Sequence, residues 1–289
     1  ETRDCAIDGW RIFSGSLSYL ETDDGIAQGM FSLNYRVERF VNNDRVSGWF
    51  VGMYSAKDDI TGLATGEING FGLNGGIYGA LRLQENLFAD YYLGAAAGRH
   101  TFNLDFDRPL GTINVDGFYT YYALFAGGAL SGEFDVSDYV IAPRVGVDLA
   151  WSPGGEADLT ASRAGFEEAG SLSTGTVSGG RVFAEVSLVD LLVDQPEVLS
   201  FTPRVFCDRG IGSAETSCGF GATIEFSSEN ENTGQTFGVA LDIEGAEDSE
   251  RYALTVNMGQ PLFGGQLETS GGVTQSGNLD LGLNFTKEF

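Results

Sequence analysis

The sequence predicts an all-β protein, a closed antiparallel transmembrane β-barrel of twelve to fourteen strands. Three observations carry this. The last twelve residues alternate: Leu279, Leu281, Leu283, Phe285 and Phe289 share one parity, and Asn278, Asp280, Gly282, Asn284, Thr286 and Glu288 share the other. That is the period of a strand with one apolar and one polar face. Similar alternating segments recur along the whole chain, many of them about 10 to 14 residues long, where soluble strands average nearer five or six. Finally, no apolar run approaches the ~20 residues that a spanning helix needs. A chain that crosses a membrane without such a helix must do so as a closed barrel, because open sheet edges cannot sit in hydrocarbon. The mean hydropathy of −0.05 is compatible, since only every second strand residue would meet lipid.

The elements follow in order. Residues 10–20 form the first strand. In 25–38, Phe31, Leu33, Tyr35 and Val37 oppose Ser32, Asn34 and Arg36. Residues 46–55 align Trp49, Val51 and Met53, and 66–83 align Phe71, Leu73, Ile77, Leu81 and Leu83 against Asn74, Tyr78 and Arg82. Residues 86–100 align Leu87, Ala89, Tyr91, Leu93, Ala95 and Ala97 against Asp90 and Tyr92. Residues 117–130 are aromatic on both faces at Phe118-Tyr119 and Tyr121-Tyr122.

Residues 139–151 align Tyr139, Ile141, Val145, Val147, Leu149 and Trp151 against Arg144 and Asp148. The twelve steps from Tyr139 to Trp151 cover ~40 Å of strand. A tilt near 40° reduces this to about 30 Å vertically, the order of the spacing between two aromatic girdles. Pro143, which lacks a backbone donor, predicts a local bulge there. Residues 180–188, 198–207, 218–226, 236–244 and the run through Tyr252, Leu254, Val256 and Met258 continue the series. A weaker segment over 266–274, after Pro261, decides between twelve and fourteen strands. The polar parity holds Arg36, Arg82, Asp90, Arg144, Asp148, Glu185, Arg204, Glu225, Asp242 and Glu244. These are expected to face a wet lumen and to pair there in salt bridges.

The predicted connections alternate in length. Those over 40–45, 84–85, 131–138 and 227–234 are short or moderate, whereas 57–65, 101–116 and 152–179 are long. Short turns on one side and long loops on the other are the habit of membrane barrels. They predict that both termini face the periplasm. The Gly/Ser-rich second half of 152–179 predicts a mobile loop. Residues 10–289 then make one domain after a short segment, 1–9.

Composition bounds function. The net charge is −25, from 41 acidic and 16 basic residues, which excludes the basic footprint of a nucleic-acid binder. There is no EF-hand spacing. No phosphate loop, nucleotide fingerprint or nucleophile elbow appears, so no cofactor, metal or catalytic residue is expected. The single histidine, His100, stands between Arg99 and Thr101 with Asp105 and Asp107 nearby. It is expected to be an exposed loop residue rather than part of a protease or lipase site. Asp242 and Glu244 resemble an acid–base pair in spacing, but inward charges of both signs more often pair structurally. Cys207 and Cys218 bracket a loop-like stretch where two antiparallel strands end, which suits a disulfide and an oxidising compartment. Cys5 is left over. The chain begins at Glu1 without a basic-then-apolar leader, as a processed form or excised domain does.

Three further stretches carry a family resemblance. They are Gly70-Phe71-Gly72-Leu73-Asn74-Gly75-Gly76-Ile77-Tyr78-Gly79-Ala80, then Ala89-Asp90-Tyr91-Tyr92-Leu93-Gly94-Ala95-Ala96-Ala97-Gly98, then Tyr139 to Leu149, together with the terminal Phe289. Most of the chain thereby resembles the translocator barrel of autotransporter proteins (type V secretion) of Gram-negative outer membranes. The resemblance implies a barrel of about twelve strands around a lumenal helix that leads to an N-terminal passenger. It implies anchoring and export of that passenger rather than enzymatic activity. It further implies as partners outer-membrane lipid, the barrel-assembly machinery and a linked passenger or surface assembly. Two departures stand out. Few residues precede Trp10, too few for the helix. The family's assembly signal has an aromatic two residues before the final Phe, where this chain has Lys287, although Leu281, Leu283, Phe285 and Phe289 keep the rest of the pattern. The alternative expectation is a stand-alone outer-membrane pore or structural barrel within a surface assembly.

Overall fold

Strand follows strand through the whole molecule, and no described residue is helical. The computed structural model describes residues 9–21, 27–109, 111–137, 139–190, 197–209, 216–246, 249–274 and 279–288. Cys5 and Phe289 lie outside them. The first eight strands are β1 (Gly9–Glu21), β2 (Ala27–Asn42), β3 (Arg45–Ile60), β4 (Thr65–Gln84), β5 (Leu87–Phe106), β6 (Ile113–Gly132), β7 (Phe134–Val136) and β8 (Tyr139–Ser152). Then come β9 (Gly155–Arg163), β10 (Phe166–Thr174), β11 (Val177–Val189), β12 (Glu197–Arg209) and β13 (Thr216–Asn230). The last four are β14 (Gln235–Ala246), β15 (Ser249–Leu262), β16 (Gly265–Thr274) and β17 (Leu279–Glu288).

All but β7, β9 and β10 form one closed antiparallel barrel of fourteen strands. The ring shuts at β1, which pairs with β2 along its whole length and with β17 from Ile12 opposite Glu288 to Glu21 opposite Leu279. The weak segment over 266–274 is β16, paired on both sides, which resolves the strand count at fourteen.

The placement of apolar side chains shows what kind of barrel this is. Among the described residues only Ile12, Ala129, Ala157 and Phe206 are buried hydrophobics. By contrast Leu73, Ile77, Leu93, Leu124, Val145 and Leu149 stand about half exposed on the outside. A soluble sandwich would bury that parity. Here it forms an outward band, edged by Trp49, Phe71, Tyr122 and Trp151. In water such a band would forfeit the stabilisation that comes from removing apolar surface. In hydrocarbon it is satisfied.

Four sequence expectations need correction. β4, β5 and β6 each run for 20 residues, about twice the ~9–11 that cross a bilayer at a tilt. Much of 57–65 and 101–116 is therefore strand rather than loop. The lipid parity stops at Met53, Phe71 and Ala97. Beyond it the same parity carries Lys57, Asn69 and Arg99, while apolar Ile68, Phe102, Leu104 and Phe106 lie on the opposite parity, so the lipid-facing phase is lost.

The stretch 152–179, expected to be a mobile loop, is a hairpin. β9 pairs with β10 from Gly155 opposite Thr174 to Arg163 opposite Phe166. That register continues the β8–β11 ladder, in which Ser152 faces Val177. The two strands thus rise out of the barrel as one ribbon. β9 docks on the upper part of β6, where Tyr119 faces Ala157, while lower down Leu124 faces Trp151 of β8. Six steps on one strand match five on the other, so the extra residue falls near Pro153-Gly154.

Pro143 makes no bulge. It pairs with Val186 in unbroken register and lies one residue past Arg144, where the β6–β8 ladder ends. Its missing N–H therefore costs no bond on that side. Irregularities occur instead beside short turns, between Phe40 and Asn42 and between Arg82 and Gln84.

His100 is not in a loop. β5 continues to Phe106, and His100 sits within it on the inward parity, facing Gly70 and Tyr119 on the flanking strands.

Candidate functional site

The inward parity brings together side chains from strands that are not neighbours, which only the concave face of a closed sheet allows. Two charged clusters form there. In the first, Arg144 of β8 pairs with Asp90 of β5 at 3.3 Å and Glu185 of β11 at 3.7 Å, and its guanidinium lies 5.3 Å from the Phe183 ring. Tyr92 donates to Asp148 at 2.6 Å beside it. In the second, Arg204 of β12 reaches Asp242 at 2.6 Å and Glu244 at 3.1 Å on β14, and donates to Thr223 at 2.7 Å. Arg181 of β11 grips Asp208 with two bonds, 2.7 and 2.8 Å, and reaches Glu244 at 3.3 Å. Its guanidinium lies 4.4 Å from the Phe206 ring. Asp242 and Glu244 are therefore held by arginines, not left as a free acid–base pair.

Of the other inward charges expected from sequence, Arg36 and Glu225 stand exposed on strands β2 and β13. Arg82 turns away from the clusters to the short turn, donating twice to the Glu85 carbonyl at 2.9 and 3.2 Å. Tyr78 donates to Glu38 at 2.8 Å across β3. Asp208 and Glu38 were not among the interior charges expected from sequence; Arg181 shares the parity of Glu185, and strand phase places it on the inward face.

A third cluster surrounds the one histidine. The His100 ring stacks on Tyr119 with centroids 5.0 Å apart and planes 6° apart. Tyr121 lies 5.4 Å away, and the Tyr54 hydroxyl is 3.2 Å from Nε2. Tyr54 and Tyr121 also hydrogen-bond to each other. Asp58 lies nearby, with its Oδ1 buried and unbonded in the described structure. Glycines make this crowding possible. A Cβ at Gly70 would come within 2.7 Å of the His100 ring, and one at Gly72 would strike Tyr54 and Tyr121. The alternation Gly70-Phe71-Gly72 thus puts a phenyl outside and empty space inside.

Outside the apolar band, Lys57 bridges Asp59 at 3.3 Å and Glu67 at 3.0 Å. The hydrogen bond from Lys57 holds the Glu67 carboxyl below its usual range, and the same bond raises Lys57. Arg99 lies 3.9 Å over the Phe118 ring on that outer surface. The disulfide joins Cys207 to Cys218, which face each other across β12 and β13. Leu281, Leu283 and Phe285 share the outward face of β17 with Lys287, whose Nζ donates to the Phe263 carbonyl at 3.2 Å. No group of three or more metal-ligating side chains occurs among the described residues.

Solved structures of similar fold cover nearly the whole chain. The β-domain of the Bordetella autotransporter BrkA aligns over 97% of this chain and 99% of its own, at a TM-score of 0.52 and 12% identity. The translocator domain of autotransporter NalP from Neisseria meningitidis aligns over 97% and 90%, at 0.53 and 14%. The deltaS2 mutant of the TodX monoaromatic hydrocarbon channel aligns over 97% and 90%, at 0.57 and 8%. At these identities the likeness is one of fold, the closed barrel of outer-membrane proteins. No protein-family model matches the sequence, and no curated protein matches it.

Proposed function

We propose that this chain is a non-enzymatic outer-membrane barrel of autotransporter type, which anchors an N-terminal passenger and helps export it. One observation carries the reading. Gly9 of β1 lies at the short-turn end of the barrel, beside Arg39. Any segment preceding β1 therefore starts at that end, and the polar interior is its only route through the bilayer that avoids lipid. Arg144, Arg181, Arg204 and their carboxylates keep that route hydrated. In this reading the short-turn end faces the periplasm, and the barrel-assembly machinery inserts the chain.

The test places an unfolded epitope-tagged segment before Glu1, behind a secretion signal, in a Gram-negative host. Protease-accessible epitope on intact cells, with a heat-modifiable barrel, is the expected result. A folded barrel whose epitope stays protected would refute export. The second reading is a stand-alone pore, supported by the likeness to the TodX channel. It predicts steady single-channel conductance from the purified barrel in a planar bilayer.

A further inference from the structure

The barrel carries an unusual concentration of positive charge where its ends meet. Arg11 of β1, Arg39 of β2, Arg45 of β3 and Lys287 of β17 all have the outward parity, and all lie at the short-turn end. They are four of only 16 basic residues in a chain of net charge −25. On that half of these four strands no described outward side chain is a carboxylate. Glu38 has the inward parity and accepts the Tyr78 hydroxyl, and Asp44 sits in the β2–β3 turn. Beyond the apolar band at the other end, Lys57 bridges Asp59 and Glu67.

The charge borders a groove. A cavity of about 580 Å³ on the outer surface is lined by Arg11, Arg39, Tyr35 and Trp49 among others. Tyr35 and Trp49 meet edge to face, with centroids 5.8 Å apart, and Trp49 is 46% exposed. The groove therefore has guanidinium groups at one end and opens onto the apolar band at the other. An amphipathic aromatic pair marks the level between them, the position such rings take at a membrane–water boundary.

We propose that this groove binds the phosphate-bearing headgroup of an anionic phospholipid, with its acyl chains lying on the apolar band. The inference rests on the membrane-barrel reading and adds a lipid preference to it. Guanidinium groups match phosphate oxygens in geometry and charge. An acyl chain would cover outward Val37 and Ile77, which line the same cavity. A soluble anion would gain nothing from that apolar wall.

The experiment uses the full chain with Trp10→Phe and Trp151→Phe, which leaves Trp49 as its one tryptophan. The folded barrel, verified by heat-modifiable mobility, is placed in phosphatidylcholine vesicles containing a minor fraction of brominated lipid. Brominated phosphatidylglycerol is expected to quench Trp49 as though enriched about fivefold or more over bulk, since each cation near a membrane surface contributes about a factor of five. Brominated phosphatidylcholine should quench only at its bulk fraction. High salt, or Arg11→Gln with Arg39→Gln, should remove the excess, and Lys57→Gln with Arg99→Gln should retain it. The salt arm needs no variant beyond the two tryptophan replacements, whose folding the mobility shift has already verified.

Equal quenching by the two lipids overturns the proposal and leaves the membrane barrel standing. No quenching by either overturns both. Displacement of the brominated lipid by millimolar glycerol phosphate would show a soluble-phosphate site and overturn the lipid assignment.

Discussion

Val145→Arg tests the lipid-facing parity where it matters most. Val145 lies six residues from Tyr139 and six from Trp151 on β8, is 49% exposed on the outer face, and pairs with Ala184 and Leu130 on the flanking strands. With ~3.3 Å per residue and a tilt near 40°, it sits about 15 Å from each aromatic end, at the midplane. An outward arginine there should cost about 2–4 kcal/mol, and the same change at Trp151 about 0–1 kcal/mol from depth alone. On a solvated surface both changes would fall within about ±0.5 kcal/mol. The assay is urea-dependent folding into phospholipid vesicles, followed by the heat-modifiable gel shift, because Trp151→Arg removes a fluorophore. A cost at Val145 no greater than that at Trp151 would refute the assignment of this face to lipid.

Three further outcomes follow from particular contacts. Arg204→Ala leaves Asp242 and Glu244 as neighbouring carboxylates. It should cost about 2 kcal/mol in the same assay, less than the ~3–5 kcal/mol of a dry buried pair because the interior is wet. Adding Asp242→Asn and Glu244→Gln should recover at least half of that loss, whereas simple additivity would deny the coupling. Replacing Cys207 and Cys218 by serine should lower stability by up to about 3 kcal/mol, the scale for a short closed loop. A reductant should reproduce the effect, and an unchanged midpoint in both cases would contradict it. Lys57→Met should return the Glu67 carboxyl toward its ordinary 4.5. Because the folded value lies below the ordinary one, this pair stabilises above that value and its contribution fades as pH falls through the lowered one. A carboxyl-carbon NMR titration that gives the same Glu67 curve in both proteins would negate the contact.

The barrel was legible because lipid and lumen imprint opposite chemistry on successive residues. Phe71, Leu73 and Ile77 against Asn74 and Tyr78 reveal β4 without any tertiary information, and the same contrast locates Arg144, Arg204 and Glu244 on one face. The signal fails where both faces meet water. The upper part of β3 is polar on both faces, whereas 102–106 and 157–161 still alternate but with their apolar residues on the inward parity, out of phase with the lipid-facing run. The His100 cluster was hidden for another reason. Tyr54, His100 and Tyr121 lie 46 and 21 positions apart in sequence and meet only when β3, β4, β5 and β6 stand side by side, with Gly70 and Gly72 leaving room between them. Pro143 misled because its lack of a donor matters only if a neighbour needs one, and the ladder to β6 has already ended there.

The position of β1 governs how this molecule can be completed. Every barrel strand but two finds both partners nearby in the chain; β1 and β17 must find each other, with β2 and β16 on their other flanks. A nascent sheet from β1 to β16 is a ribbon with two raw edges and no enclosed interior. Neither edge can enter hydrocarbon while its amides and carbonyls remain unpaired. Joining Ile12–Glu21 to Leu279–Glu288 removes both edges in one event. Membrane entry is thereby conditional on synthesis of the final strand, and a truncated chain is rejected by the bilayer itself.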